Sequence, residues 1–105
     1  ELLGNLLDNA LRHTPGGGTI QIDMAELPGG GACVAVVDGG PGIPAEYATA
    51  VFERFMQIPG SKTGTTGLGL SLAAEIARMH GGTLELANPG QPGARFECRL
   101  PRIRV

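Results

Sequence analysis

Asn5 and Asn9 stand four residues apart near the start of the chain, on the more polar side of a helical pattern. A carboxamide oxygen is a hard, neutral ligand, suited to a Mg²⁺ ion that already holds water and phosphate oxygens. Arg12 follows about one turn later and can meet a phosphate. Further on, Val36-Val37-Asp38-Gly39-Gly40-Pro41-Gly42-Ile43-Pro44 sets a carboxylate at the end of an apolar run. A carboxylate so placed must receive hydrogen bonds to offset its desolvation, and the exocyclic amine of adenine is one donor it can accept from. Gly40 and Gly42 let the backbone bend and lie close to a flat ring, and Ile43 can supply an apolar wall.

A third group, Gly64-Thr65-Thr66-Gly67-Leu68-Gly69-Leu70-Ser71, opens a helical pattern. Unpaired N–H groups and the helix dipole at such a start favour an anionic phosphate. The spacing fits neither a dinucleotide fold, since no strand immediately precedes it, nor a Walker loop, since no Gly-Lys-Ser/Thr occurs. Each group also has a plain structural reading: an exposed helix face, an Asp-Gly turn, a glycine-rich helix start. Their order along one short chain favours the chemical readings.

The elements that must position these groups follow from periodicity. Residues 1–13 read as a helix with Leu3, Leu6, Leu7, Ala10 and Leu11 on one side and Glu1, Asn5, Asp8 and Arg12 on the other. Thr14-Pro15-Gly16-Gly17-Gly18 stops it. Thr19 to Ala25 alternates as a half-buried strand, and Ala32 to Val37 is apolar enough for a central strand, so the two predict a hairpin. Ala45 to Met56 reads as a short helix, and residues 57–66, with few hydrophobes, as a mobile loop. Gly67 to His80 reads as a long helix with Leu68, Leu72, Ile76 and Met79 on its apolar face. Thr83 to Ala87 and Arg95 to Leu100 form a last strand pair around Asn88-Pro89-Gly90. The predicted fold is an α/β two-layer (α+β) sandwich, with three helices on one face of a mixed, largely antiparallel sheet of about four strands.

The 105 residues allow one domain. A net charge of −2 with no block of like charge argues against nucleic acid or an anionic membrane as partner. No apolar run approaches the ~20 residues needed to span a bilayer. Cys33 and Cys98 lack zinc spacing and read as two reduced core cysteines.

Taken together, the chain resembles the catalytic, ATP-binding domain of bacterial sensor histidine kinases, in the superfamily shared with DNA gyrase B subunits, mismatch-repair ATPases and a chaperone ATPase class. Asn5 to Pro15 resembles the N box, Asp38 to Pro44 the G1 box, Val51-Phe52-Glu53-Arg54-Phe55 the F box and Gly67 to Leu70 the G2 box. The resemblance implies ATP and Mg²⁺ as ligands. Asn9, with help from Asn5, would hold the metal. Arg12 and His13 would line the phosphates, and Asp38, Gly40, Gly42 and Ile43 would form the purine site. Thr66, Gly67, Leu68, Gly69 and Leu70 would cradle the triphosphate. Residues 56–66 would be a lid carrying Lys62, with Arg54 at its root reaching the γ-phosphate; Arg54 and Arg12 are the candidate catalytic cations.

Gly39, Gln57 and Thr65 depart from the family pattern, which has Asn, Arg and Gly there. The family's first strand and helix, ahead of the N box, have no counterpart in these residues, so the chain reads as part of a longer protein. Its implied partners are an upstream dimerisation and phosphoacceptor domain of that parent and a response regulator. Its implied place is the cytoplasmic side of an inner-membrane sensor. Neither His13 nor His80 resembles a phosphorylation site. Two other readings stand beside the kinase. One is an ATP-hydrolysing relative, which would carry a water-activating Glu where Asn5 stands. The other is a nucleotide-binding scaffold without turnover.

Overall fold

The computed structural model describes residues 1–56, 58 and 68–102. Helix α1 spans Leu2–His13 and helix α2 spans Gly69–Met79. Strands β1 (Gln21–Glu26), β2 (Ala32–Val37), β3 (Thr83–Leu86) and β4 (Arg95–Leu100) form one sheet in the order β1-β2-β4-β3. Every pairing among them is antiparallel. The expected mixture of directions is therefore absent among the described strands: β1–β2 and β3–β4 are hairpins, which join antiparallel neighbours, and β4 returns antiparallel beside β2.

Among the described residues two α-helices are present where three were expected. Ala45 to Met56 forms two 3₁₀ turns, Ala45–Tyr47 and Ala50–Phe52, and no α-helix. Tyr47, Thr49, Val51 and Phe52 are weak helix formers, and Phe55 at a left-handed φ of 62° leaves helical geometry near the end of the segment. Its hold on the protein is side-chain packing: Val51 is buried, and Phe52 meets Phe96 edge to face with ring centroids 5.9 Å apart.

The core lies between the helices and one sheet face and contains Leu6, Ala10, Val36, Ile43, Val51, Ala73, Leu86, Ala94 and Phe96. Full burial of a side chain such as Leu6 or Phe96 is worth about 1.5–3 kcal/mol. The apolar face of α2 differs from its expected course. Ala73 and Ala77 are the fully buried residues, while Leu72 and Met79 are 48% and 74% exposed. The two helices pack on one another, and alanines let helix axes approach where leucines would hold them apart. On α1, likewise, Leu6 and Ala10 are buried while Leu3 and Leu11 stay exposed.

Strand β1 is not half-buried as its alternation predicts: Ile22 and Met24 are exposed. Helix α1 lies against β2, and α2 against β3 and β4, so the edge strand projects beyond the helical layer.

The other sheet face carries a ladder of charges. The Arg95 guanidinium donates to Asp23 (2.9 Å) and Glu97 (2.7 Å), and Arg99 donates to Glu97 (2.8 Å) and to Glu85. Beneath it Ala35 is buried although no described helix covers that face, because the long side chains lie across it. Cys33 shares this face and is only half-buried, whereas Cys98 is buried on the core side. Only Cys98 is thus a core cysteine, and burial, with Cys33 nearby, pushes its thiol pKa up. Facing opposite ways from adjacent strands, both are free thiols.

Candidate functional site

Asp38 directly follows β2 and is the one buried charged residue among those described. Its Oδ1 accepts the N–H of Gly40 at 2.9 Å and of Ala94 at 3.1 Å. Its own N–H donates to the Ala94 carbonyl at 3.0 Å. The desolvation that a carboxylate suffers here is offset by these peptide groups. Both side-chain bonds among the described residues fall on Oδ1, which turns the carboxylate into a fixed plane with Oδ2 as its second acceptor.

The loop after Asp38 is tied on two sides. Toward the β3–β4 loop, Gly93 N–H donates to the Gly40 carbonyl (2.9 Å) and Gly90 N–H to the Ile43 carbonyl (2.8 Å). Toward α1, Gly39 N–H donates to Thr14 Oγ1 (2.9 Å), which itself donates to the Ala10 carbonyl (2.7 Å). The two G1 glycines are required by the protein's own packing. A Cβ on Gly40 would strike the His13 carbonyl, and one on Gly42, at φ +85°, would strike the Gln91 carbonyl. At Gly39 a Cβ would sit 3.0 Å from both Thr14 Cγ2 and the Thr19 carbonyl, so the loop has closed around the smaller residue. Ile43 is buried in the core cluster.

Helix α1 ends against this loop, bringing His13 beside Gly40. His13 Nδ1–H donates to the Asn9 carbonyl at 2.8 Å, which fixes the tautomer and leaves Nε2 an acceptor while the ring is neutral. Asn5 and Asn9 are half-buried, and Arg12 is exposed. Among the described residues no three His, Cys, Asp or Glu gather as a metal site. Two neutral carboxamides alone would bind a divalent ion weakly; they fit Mg²⁺ that brings oxygens from a bound triphosphate.

Leu68 is the N-cap of α2 and supplies no side-chain cap. Among the described residues no group takes up the first-turn N–H groups, which suits them to a ligand or water. A Cβ on Gly69 would have no atom of the described residues within 4 Å. Leu70 leans on the core. Arg54 is exposed in the turn after the second 3₁₀ segment, next to Phe55, whose φ of 62° is left-handed. Lys62, Thr66 and Gly67 lie outside the described residues, as do residues 57 and 59–65 of the expected lid.

Two residues of this site carry no signal in the sequence. Thr14 reads as a helix stop and the tail of the N-box resemblance, yet neither foretells that its hydroxyl joins α1 to Gly39. Asn88 reads only as a turn former, yet its carboxamide spans the β3–β4 loop. Their partners are backbone atoms of residues that only the tertiary fold brings near.

Residues 1–104 match the family described as histidine kinase-, DNA gyrase B-, and HSP90-like ATPases. Among the relatives is the alginate biosynthesis sensor protein KinB of Pseudomonas aeruginosa, 46% identical over 95% of this chain and 16% of its own length. The mycobacterial sensor histidine kinase MprB has the same fold at a TM-score of 0.84, with 33% identity over 98% of this chain and 70% of that one. Full-length ShkA, solved in complex with AMPPNP, also superposes at 0.84, with 27% identity over 99% of this chain and 21% of that one. The chain spans only 7% to 27% of the curated relatives it matches. With a family match over nearly its whole length, carried by sensor kinases, the chain belongs to the histidine kinase-, DNA gyrase B-, and HSP90-like ATPase family.

Proposed function

We propose that this chain is the ATP-binding catalytic domain of a sensor histidine kinase. In this role it binds ATP with Mg²⁺ and offers the γ-phosphate to a histidine on a separate phosphoacceptor domain of the parent protein. The observation that carries the reading is the buried Asp38 carboxylate, held through Oδ1 by two backbone N–H groups. It presents an acceptor to the adenine amine, while guanine would bring an acceptor of its own. The backbone at Gly69, which no described atom crowds, and the uncapped start of α2 suit the triphosphate.

Asn9 and Asn5 would hold Mg²⁺, which neutralises phosphate charge when bound. Arg12 and Arg54, both exposed, would turn toward the phosphates, so that the chain's part in the transfer is positioning and charge stabilisation. Lys62, Thr66 and Gly67 belong to the same proposed phosphate side. The attacking imidazole comes from the phosphoacceptor domain, and a response regulator takes the phosphoryl group next. Among the described residues no helix is long and apolar enough to cross a membrane. The proposed setting is the cytoplasmic side of a membrane-anchored sensor.

The reading is tested by incubating the protein with Mg·ATP labelled on the γ-phosphate and a histidine phosphoacceptor domain from a relative such as KinB or the parent chain. Acid-labile label on the acceptor is expected. Release of free phosphate without labelled acceptor would favour the hydrolytic relatives instead.

A further inference from the structure

Asn88 opens the loop between β3 and β4 and is half-buried. Its Nδ2 donates to the Gly93 carbonyl at 2.8 Å, and its Oδ1 accepts the Arg95 N–H at 2.8 Å. Those two backbone atoms flank Ala94 on either side. Ala94 in turn is the residue that grips Asp38, through its N–H to Oδ1 and its carbonyl to the Asp38 N–H. The same loop runs along the G1 segment, with Gly93 bound to Gly40 and Gly90 to Ile43. At Gly93 a Cβ would sit 3.0 Å from the Asp38 carbonyl, so the two backbones are in close contact. One carboxamide thus closes the brace that sets where Asp38 points. The task needs a donor and an acceptor on one planar group: a carboxylate lacks the donor, and a hydroxyl is shorter.

We propose that Asn88 is a positioning residue for base selection, holding Ala94 so that the Asp38 carboxylate discriminates adenine from a 6-oxo purine. The proposal rests on the reading of Asp38 as the adenine acceptor. Removing the Asn88 side chain leaves the carbonyl of Gly93 and the N–H of Arg95 without their partner, and the peptide between them can tilt. Asp38 keeps its bond from Gly40, so the carboxylate loosens without being released. Selectivity should therefore fall by less than when the carboxylate itself is lost.

The test compares ATP with inosine triphosphate, which carries a carbonyl where adenine has its amine. Affinities of both are measured by calorimetry for wild type, Asn88→Ala, Asn88→Ser and Asp38→Asn, each with a melting curve. Asn88→Ala should lower the ATP-to-ITP preference by about 3- to 10-fold with ITP affinity little changed, the scale of one neutral hydrogen bond. Asn88→Ser, whose hydroxyl is too short to reach both backbone partners, should lose a comparable share of the preference and carries the test where the alanine variant does not fold. An unchanged preference in the Asn88 variants, however far their melting points fall, would make Asn88 purely structural and overturn the proposal. Loss of preference in Asp38→Asn alone overturns the role of Asn88 and keeps that of Asp38. An unchanged preference in Asp38→Asn overturns the adenine reading, and this inference with it.

Discussion

Asp38 and Ala94 hold each other by a reciprocal pair of hydrogen bonds, one through the Asp38 backbone at 3.0 Å and one through its side chain at 3.1 Å. The carboxylate is therefore oriented by peptide groups of β4's approach before any ligand arrives. On the proposed reading, a nucleotide would supply only a donor to the remaining oxygen, with little reorganisation left to oppose binding.

The two glycine groups should separate experimentally. Gly42→Ala places a Cβ against the Gln91 carbonyl at a left-handed φ, and should cost about 1–3 kcal/mol of stability. Gly69→Ala meets no described atom and should leave the melting point level or slightly higher, since alanine favours a helix. Its added methyl should nonetheless lower triphosphate affinity several-fold. Melting curves and ATP titration of both variants check this. A Gly69→Ala protein that binds ATP normally would remove the α2 start from the phosphate site.

Asn9→Ala should weaken ATP binding chiefly when Mg²⁺ is present. The residue sits one turn before His13, half-buried on the polar side of α1 with Asn5. Titration in Mg²⁺ and in EDTA gives the contrast. Equal losses in both would make Asn9 a direct or structural contact.

Acid should act through the charge ladder. Hydrogen bonding from Gln21 and then Arg95 holds the Asp23 carboxyl below its ordinary range, and Arg95, above all through its hydrogen bond, does the same to Glu97. Folded values below unfolded ones mean a contribution that is full above the ordinary carboxylate range near about pH 4 and is lost as the pH falls through the folded values. Stability should thus decline from about pH 4 downward, and Arg95→Gln should make that decline shallower while lowering stability at pH 7. Melting temperature against pH, for both proteins, reads it out. Parallel curves would show that the ladder adds nothing to acid stability.

How far the sequence speaks depends on what a residue answers to. Ala32 to Val37 and Arg95 to Leu100 are recovered to the residue because a central strand and its neighbour must be apolar on the core face. Asp38 stands out because a carboxylate ending an apolar run needs a reason to be there. What periodicity cannot reveal is how wide the cover is: Ile22, Met24, Leu72 and Met79 have the pattern of core residues but lie outside the contact between layers. Ala73 and Ala77 give only a weak pattern because their side chains are small, though they set the helix spacing. Thr14 and Asn88 were illegible for a different reason, since a side chain that binds remote backbone leaves no mark on its own neighbours.

The central claim, that Asp38 reads adenine, is tested most directly by calorimetric titration of Mg·ATP into the wild-type protein and Asp38→Asn. The asparagine can still accept the Gly40 and Ala94 N–H groups through Oδ1, so the fold should survive, but it turns an N–H₂ toward the adenine amine in place of Oδ2. Loss of a charge-assisted hydrogen bond costs about 1.5–3 kcal/mol, so affinity should fall roughly 10- to 100-fold at a nearly unchanged melting temperature. A folded Asp38→Asn protein that binds ATP as tightly as wild type would contradict the account.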